Sequence, residues 1–276
     1  AAITWYKEGL ALKKLQDKVA VFVGGGSAIA TVALRHFMNE GAKVVLVDVD
    51  KKYFTRSEDI RAKYPERIRT FIGACSVQED MDKAMEFAEK EFGKIDILCN
   101  YAGFHGGGDV VSVQKKLWDI AEDVTCLGTY RAVRAVYPYM KKNHYGRIMN
   151  FASIGGRANR GVPITYAGFK GAAIGLTRAL ALELAKDGIT VNSMAPASID
   201  TTEFERIPEK DSVPFTPPKG ALKGGPGATR GGSFIPGRPL ATMDEIAHTI
   251  VFMSSDDSAF LTGDCLDVNG GQFMQP

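Results

Sequence analysis

A serine, a tyrosine and a lysine have a spacing in this chain that suits proton transfer. Tyr166 and Lys170 are four residues apart, and positions i and i+4 of a helix share one face. A tyrosine is a poor base at neutral pH because its ordinary pKa is near ~10, and a neighbouring ammonium lowers that pKa by favouring the phenolate. Ser153 precedes the pair and follows a predicted strand, so its hydroxyl is suited to polarising a substrate oxygen. The spacing predicts proton transfer to or from an alcohol or carbonyl oxygen.

A glycine-rich turn follows the first predicted strand, Val19–Val23, and opens a helical segment. The amide groups and dipole of a helix N-terminus favour negative charge, so this turn suits the pyrophosphate of a dinucleotide. Asp48 ends the second predicted strand. A carboxylate there accepts hydrogen bonds from the ribose hydroxyls and repels a 2′-phosphate, which favours NAD over NADP. Lys51 and Lys52 lie just beyond and weaken that preference.

These residues must be positioned by the elements around them, and short apolar strands alternate with helical segments along the chain. The predicted strands are Val19–Val23, Val44–Val47, Ile68–Ile72, Ile95–Cys99, Arg147–Phe151, Ile189–Met194 and Cys265–Val268. The predicted helices are Ile29–Asn39, Val77–Phe92, Lys116–Lys142, Ala167–Lys186 and Met243–Ser254. This alternation predicts an α/β fold: a doubly wound parallel sheet of about seven strands, Rossmann-like, in a single domain.

Two segments fall outside this rhythm. Residues 1–17 form a predicted N-terminal extension, and its amphipathic part is expected to pack on the fold or on a neighbouring subunit. Residues 203–239 hold seven of the 12 prolines and almost no periodicity. A long irregular segment within a domain is often a functional loop, so we expect a substrate lid there.

Composition narrows the class of protein. The formal net charge is +2 over 276 residues, which leaves no electrostatic footprint for nucleic acid. The sequence has no run of about 18 apolar residues, so we expect no membrane partner. The four histidines have no metal-ligand spacing, so no metal site is expected. The four cysteines are scattered and form no Cys-x-x-Cys pair, which favours free thiols in a reducing, cytoplasmic compartment.

The motifs together resemble the short-chain dehydrogenase/reductase family, in its single-domain branch, over nearly the whole chain. The family's glycine turn corresponds to Val23–Ala30, its Asn-Asn-Ala-Gly segment to Asn100–Gly103, its Pro-Gly-x-Ile-x-Thr segment to Pro196–Thr201, and its Ser–Tyr–Lys group to Ser153, Tyr166 and Lys170. The resemblance implies an NAD(H)-dependent oxidoreductase that interconverts a secondary alcohol and a ketone by hydride transfer. It also implies a homotetramer, with Lys116–Lys142 and Ala167–Lys186 as the interface helices.

The resemblance also assigns roles to individual residues. Tyr166 becomes the general acid/base, Lys170 lowers its pKa and binds the nicotinamide ribose, and Ser153 polarises the substrate oxygen. The implied cofactor-binding residues are Gly24, Gly26, Ser27, Ala28, Ile29, Asp48, Ser76, Val77, Asn100, Ala102, Gly103, Tyr166, Lys170, Pro196, Ala197, Ile199 and Thr201. The expected substrate-binding residues are His105, Ser153, Ile154 and Arg157.

Several positions depart from the family pattern. Ala28 and Ala30 replace the second and third glycines of the turn, and Val23 replaces its threonine. Thr125 stands where the family has a fourth catalytic residue, an asparagine, and is expected to substitute for it. These departures leave two alternatives open: a reductase of a C=N or C=C bond, and a catalytically weak nucleotide-binding regulator or scaffold.

Overall fold

The computed structural model describes residues 13–158, 161–204 and 233–274. Within these ranges seven strands form one sheet in the order β3-β2-β1-β4-β5-β6-β7, and every neighbouring pair is parallel. The strands are β1 Val19–Val23, β2 Lys43–Asp48, β3 Ile68–Ile72, β4 Ile97–Asn100, β5 Gly146–Phe151, β6 Ile189–Met194 and β7 Cys265–Leu266. The predicted α/β fold with a doubly wound parallel sheet is confirmed.

Helices cover both faces of the sheet. They are α1 Ala28–Asn39, α2 Glu58–Lys63, α3 Gln78–Phe92, α4 Lys115–Ala121, α5 Gly128–Asn143, α6 Gly155–Ala158, α7 Ile164–Leu184 and α8 Met243–Ser254. β1 is buried along its whole length, and its residues alternate between two apolar clusters. Phe22 packs with α1 and α8, whereas Val21 and Val23 pack with α3, α5 and α7. Burial on both faces explains why the strands are continuous apolar runs.

The predicted single helix Lys116–Lys142 is wrong in one respect. A π-helical segment, Glu122–Leu127, separates α4 from α5. A π turn inserts an extra residue into a helix and is frequent at functional sites. Because apolar periodicity on either side is preserved, the sequence pattern predicts a continuous helix and misses the interruption.

Sheet order fixes where a ligand site lies. β1 neighbours both β2 and β4, so the connections leave β1 and β4 toward opposite faces and open a crevice at their carboxyl ends.

Residues 1–12 of the predicted extension and residues 205–232 of the predicted lid lie outside the described residues. In the described part of the chain, no helix has the length and apolar character needed to cross a membrane.

Candidate active site

A cavity of about 460 Å³ opens at the carboxyl ends of the first four strands. Its walls come from the turn after β1, the end of β2, the loop after β3 and the loop after β4, with additional apolar side chains from α4 and the π segment. This size lies within the usual range for small-molecule and cofactor sites. Of the predicted cofactor-binding residues, those that line it are Gly24, Ser27, Ala28, Asp48, Ser76, Ala102 and Gly103.

The turn after β1 needs glycine at its first position. Gly24 has φ +76°, and a Cβ atom there would lie 2.6 Å from the backbone nitrogen of Ala102. Ser27 then caps α1 by accepting a hydrogen bond from the amide of Ala30. Ala28, the first residue of α1, lines the cavity. Since the first amide groups of a helix have no partner inside it, this end of α1 suits a pyrophosphate.

Asp48 holds the same turn from the end of β2. Its carboxylate accepts hydrogen bonds from the backbone nitrogens of Gly26, at 2.9 Å, and Val49, at 2.8 Å. Burial raises the pKa of Asp48 above its ordinary value, and the two amide hydrogen bonds partly oppose that effect. The carboxylate lines the cavity where a ribose beside the pyrophosphate would lie.

Two residues of this region were not identified from the sequence. Arg56 lines the cavity and donates a hydrogen bond from Nη1 to the carbonyl of Gly26 at 2.9 Å. Tyr53 packs so closely on Gly26 that a Cβ atom there would lie 2.4 Å from the Cβ of Tyr53. Both lie in the 3₁₀ segment Lys51–Ser57 just after β2, and no motif spacing marks them.

Some predicted cofactor residues lie outside the cavity. Asn100 is buried in the core, where its amide donates to Asn150 at 2.8 Å. Ile29 packs against the apolar cluster that contains α1 and α8. Gly26 and Val77 also do not line the cavity; Gly26 is covered by Tyr53, and Val77 is exposed at the start of α3. A glycine-rich or polar motif position can therefore serve the packing of the site without facing its ligand.

The Ser153, Tyr166 and Lys170 side chains converge at the end of β5. A Cβ atom placed at Gly155 would lie 3.4 Å from Ser153 Oγ and 3.3 Å from Tyr166 Cε1, so the two side chains approach each other beside this glycine. Gly156 allows α6 to approach α7 closely, because a Cβ there would meet the Lys170 backbone at 2.6 Å. The two glycines thus bring Ser153 onto the face of α7 that carries Tyr166.

Lys170 lies beneath the tyrosine and is buried. Its Nζ is 5.9 Å from the centre of the Tyr166 ring and donates a hydrogen bond to the carbonyl of Phe151. Removal from water lowers the pKa of Lys170 from 10.5 to about 8. The ammonium form therefore predominates at neutral pH and places a positive charge near the phenol.

Thr125 lies in the π segment and, like Lys170, is close to Gly103. A Cβ at Gly103 would be 3.0 Å from Lys170 Nζ and 3.8 Å from Thr125 Oγ1. The Thr125 hydroxyl accepts a hydrogen bond from the backbone nitrogen of Phe104 at 3.0 Å, and its carbonyl accepts one from Thr129 at 2.8 Å. Thr125 is therefore next to the lysine, and its hydroxyl holds the loop after β4.

The four expected substrate-binding residues have different positions. The His105 ring is 4.7 Å from the Tyr166 ring, centre to centre, and is exposed. The Ile154 amide donates to the carbonyl of Pro196 at 3.1 Å, beside Ser153. The structure does not bring Arg157 into this group. Its buried guanidinium pairs with Asp267 at 2.9 Å, because β7 and the chain after it pack against α6 and supply a counter-charge there.

The Pro196–Thr201 segment continues from β6 past the serine loop. The Ala197 amide donates to Val268, and Ile199 forms an isolated parallel bridge with Ala241. Ala197 lines a second cavity of about 110 Å³, whereas Thr201 is exposed to solvent. The carbonyl of Pro196 ties this segment to the Ser153 loop, so a ligand group bound near the segment lies next to the Ser–Tyr–Lys cluster.

Comparisons with known proteins give matches over nearly the whole length of the chain. The family model described as enoyl-(acyl carrier protein) reductase matches residues 24–272. The subunit BbsD of (2S)-[(R)-hydroxy(phenyl)methyl]succinyl-CoA dehydrogenase from Thauera aromatica is 32% identical over 263 residues, covering 94% of this chain and 98% of that protein. Dehydrogenase/reductase SDR family member 6 from Rattus norvegicus is 31% identical over 263 residues, with the same coverage of 94% and 98%.

Among solved structures, the crystal structure of levodione reductase superposes with a TM-score of 0.78 at 25% identity. The match covers 94% of this chain and 98% of that one. The two proteins thus share their fold over nearly their whole lengths, in keeping with the parallel sheet described above. On the family match and the relatives above 30% identity, the chain belongs to the single-domain short-chain dehydrogenases/reductases, a family of nicotinamide-dependent oxidoreductases.

Proposed function

We propose that the protein is an NAD(H)-dependent oxidoreductase that interconverts a secondary alcohol and a ketone. The observation that carries the proposal is the cluster at the end of β5. There Ser153 and Tyr166 both lie beside Gly155, and the buried ammonium of Lys170 lies 5.9 Å from the centre of the Tyr166 ring. The dinucleotide cavity begins on the adjacent loop, since Gly103 both lines that cavity and contacts Lys170.

Each side chain has a distinct task in this proposal. When bound, the nicotinamide supplies or accepts the hydride at the substrate carbon. Ser153 donates a hydrogen bond to the substrate oxygen, and Tyr166 gives that oxygen a proton in reduction or removes it in oxidation. Lys170 stabilises the phenolate form of Tyr166 by its charge and is placed to bind the ribose of the nicotinamide. Thr125 fixes the loop that carries Gly103 and His105.

Asp48 supports NAD over NADP as the cofactor. Its carboxylate lines the cavity beside the turn, where it would accept hydrogen bonds from ribose hydroxyls and repel a 2′-phosphate. Arg56 lines the same cavity and brings a positive charge close to this carboxylate. This charge reduces the expected preference for NAD over NADP. Fluorescence titration with NADH and NADPH tests the proposal, with tighter NADH binding as the expected result.

Replacement of Tyr166 by phenylalanine tests the assignment of the acid/base. We expect Tyr166→Phe to lose turnover with a β-keto ester or a cyclic diketone while NADH still binds, because only the phenol oxygen is removed. Tyr64→Phe is the matched control, since Tyr64 follows α2 and does not line the cavity. Turnover by Tyr166→Phe equal to that of the control would show that another group transfers the proton.

Reduction of a C=C bond is a second candidate, favoured by the description of the matching family model as an enoyl reductase. An assay panel that contains a ketone, an enone and an imine separates the reactions. Each reaction reduces a different type of double bond, so the compound that is consumed identifies the reaction. A regulator or scaffold that binds nucleotide without turnover is the third alternative. It predicts NADH binding with no consumption of any panel member, and the retained Ser–Tyr–Lys cluster weighs against it.

We also propose a cytoplasmic homotetramer. Four large apolar side chains are partly or largely exposed on α4, on α7 and where the π segment meets α5, the two regions expected to form an interface: Trp118, Leu127, Tyr130 and Leu182. Cys75, Cys99 and Cys265 are buried free thiols, in keeping with a reducing compartment. Light scattering coupled to gel filtration measures the molecular mass of the assembly, for which we expect that of a tetramer. Leu182→Arg is expected to reduce the number of subunits in the assembly.

A further inference from the structure

His105 has a contact with the acid/base tyrosine that the proposed reaction does not by itself require. Its imidazole ring lies 4.7 Å from the Tyr166 ring, centre to centre, with 39° between the ring planes. His105 is exposed, whereas Lys170, which also lies near the Tyr166 ring, is buried. The phenol ring thus has both a buried cation and a solvent-exposed imidazole close to it.

The loop that carries His105 is held at two points. The Phe104 amide donates to the buried hydroxyl of Thr125, and the His105 carbonyl accepts from the buried hydroxyl of Thr165 at 3.4 Å. Gly106 has φ +67°, and a Cβ atom there would lie 2.4 Å from Thr165 Oγ1. Because the backbone is held on both sides, the point from which the imidazole extends toward Tyr166 is set by the fold.

The proposed reaction creates a need that this position meets. After Tyr166 gives its proton to the substrate oxygen, it must regain one from solvent before the next turnover. Lys170 is itself buried, with a side chain that is 4% exposed and an ammonium bound to the Phe151 carbonyl, so a solvent-exposed group beside Tyr166 offers a separate route. A histidine is the side chain best suited to carry protons near neutral pH.

We infer that His105 passes protons between Tyr166 and solvent. In the reductive direction the imidazolium gives its N–H proton to the Tyr166 phenolate, directly or through one water molecule, and becomes neutral imidazole. A proton from solvent then restores the imidazolium, and the sequence is reversed for alcohol oxidation. His105 acts through Tyr166 and does not transfer a proton to the substrate, so this inference rests on the proposed function.

Two variants separate proton transfer from ring packing. His105→Phe keeps an aromatic ring on Tyr166 without a titratable nitrogen, whereas His105→Ala removes the ring and leaves an open space at the surface. The assay is NADH-dependent reduction of ethyl acetoacetate, or of whichever panel ketone is consumed, at low buffer concentration with and without added imidazole. Thermal melting and NADH titration check that both variants fold and bind cofactor.

We expect kcat to fall about tenfold or more in both variants, with the KM for the ketone changed by less than about twofold. Added imidazole should restore several-fold of the lost kcat in His105→Ala, where it can occupy the space, and none in His105→Phe. Wild-type kcat in His105→Phe, or the absence of rescue in His105→Ala, would overturn the inference. If Tyr166→Phe is inactive, either of these two results refutes only the role of His105 and leaves the proposed function standing. Turnover by Tyr166→Phe, in contrast, refutes the proposed function.

Discussion

Lys170 is a buried cation, and replacing it should stabilise the fold while abolishing activity. The Lys170→Met variant removes the charge and keeps an unbranched side chain of similar length in the same space. Functional residues often lower stability in this way, because the site needs a charge that the fold would otherwise exclude. The expected gain can be worked out from the burial and contacts of the ammonium.

Burial lowers the pKa of Lys170 from 10.5 to about 8. Each pKa unit is worth about 1.36 kcal/mol, so burying the charged form destabilises the folded state by about 3 kcal/mol at pH 7. The variant also loses the hydrogen bond to the Phe151 carbonyl, which offsets about 1–2 kcal/mol of that gain. The net expectation is a stabilisation of about 1–2 kcal/mol, or a rise in Tm of roughly 2–4 °C for a chain of this size.

The sign of the pH dependence follows from the direction of the pKa change. Between about pH 8 and 10.5 the folded state holds this proton less tightly than the unfolded state, so the stability of the wild type rises with pH in that interval. At pH 9.5 the destabilisation by Lys170 has fallen to about 1.4 kcal/mol. The advantage of Lys170→Met should therefore shrink to about zero at that pH.

Urea unfolding of the wild type and of Lys170→Met at pH 7 and pH 9.5 measures the gain in stability and its dependence on pH. Lys186→Met is the matched control, since Lys186 is exposed just after α7. It should change the free energy of unfolding little at either pH. A Lys170→Met protein that is less stable than wild type at pH 7, or one whose advantage does not depend on pH, would refute the assignment of a desolvated ammonium at this position.

Three further changes test other parts of the site. Thr125→Val leaves the buried amide of Phe104 without its acceptor and should lower stability by about 1–3 kcal/mol in urea unfolding, whereas Thr125→Ser keeps the hydroxyl and should lose less. Gly24→Ala brings a Cβ to 2.6 Å from the Ala102 nitrogen at φ +76°, so NADH binding measured by fluorescence should be lost or weakened at least tenfold. Asp48→Asn should narrow the ratio of NADPH to NADH dissociation constants, because it removes the charge that repels a 2′-phosphate; an unchanged ratio would place the ribose elsewhere.

The sheet could be predicted from the sequence because its strands are buried on both faces. β1, β3 and β6 have the bounds expected from their apolar runs, and parallel order follows from alternation with helices. β7 is shorter than its apolar run, since only Cys265 and Leu266 pair with β6. Strand ends depend on the neighbouring strand, which a local pattern does not contain.

The site was predictable where a motif fixes local geometry and not where distant segments meet. Tyr166 and Lys170 are four residues apart in sequence and lie on one face of α7, as their spacing predicts. Gly24 has the positive φ that the turn after β1 needs. Arg157 was expected near the substrate, but its charge pairs with Asp267, more than a hundred residues away in sequence. Such partnerships are set by tertiary packing and leave no sign in the loop itself.

The departures from the family pattern acquire a physical meaning in the structure. Thr125 and Arg56 each hold a backbone group of a loop at the cavity proposed for the dinucleotide: Thr125 accepts from the Phe104 amide, and Arg56 donates to the Gly26 carbonyl. Asp48 holds the amide of the same Gly26, so the phosphate turn is braced by side chains of both charges. A turn braced in this way depends less on additional glycines for its shape, which makes alanine at positions 28 and 30 compatible with a formed turn. The substitutions thus argue for a site stabilised by its own contacts, and against reading them as signs of lost activity.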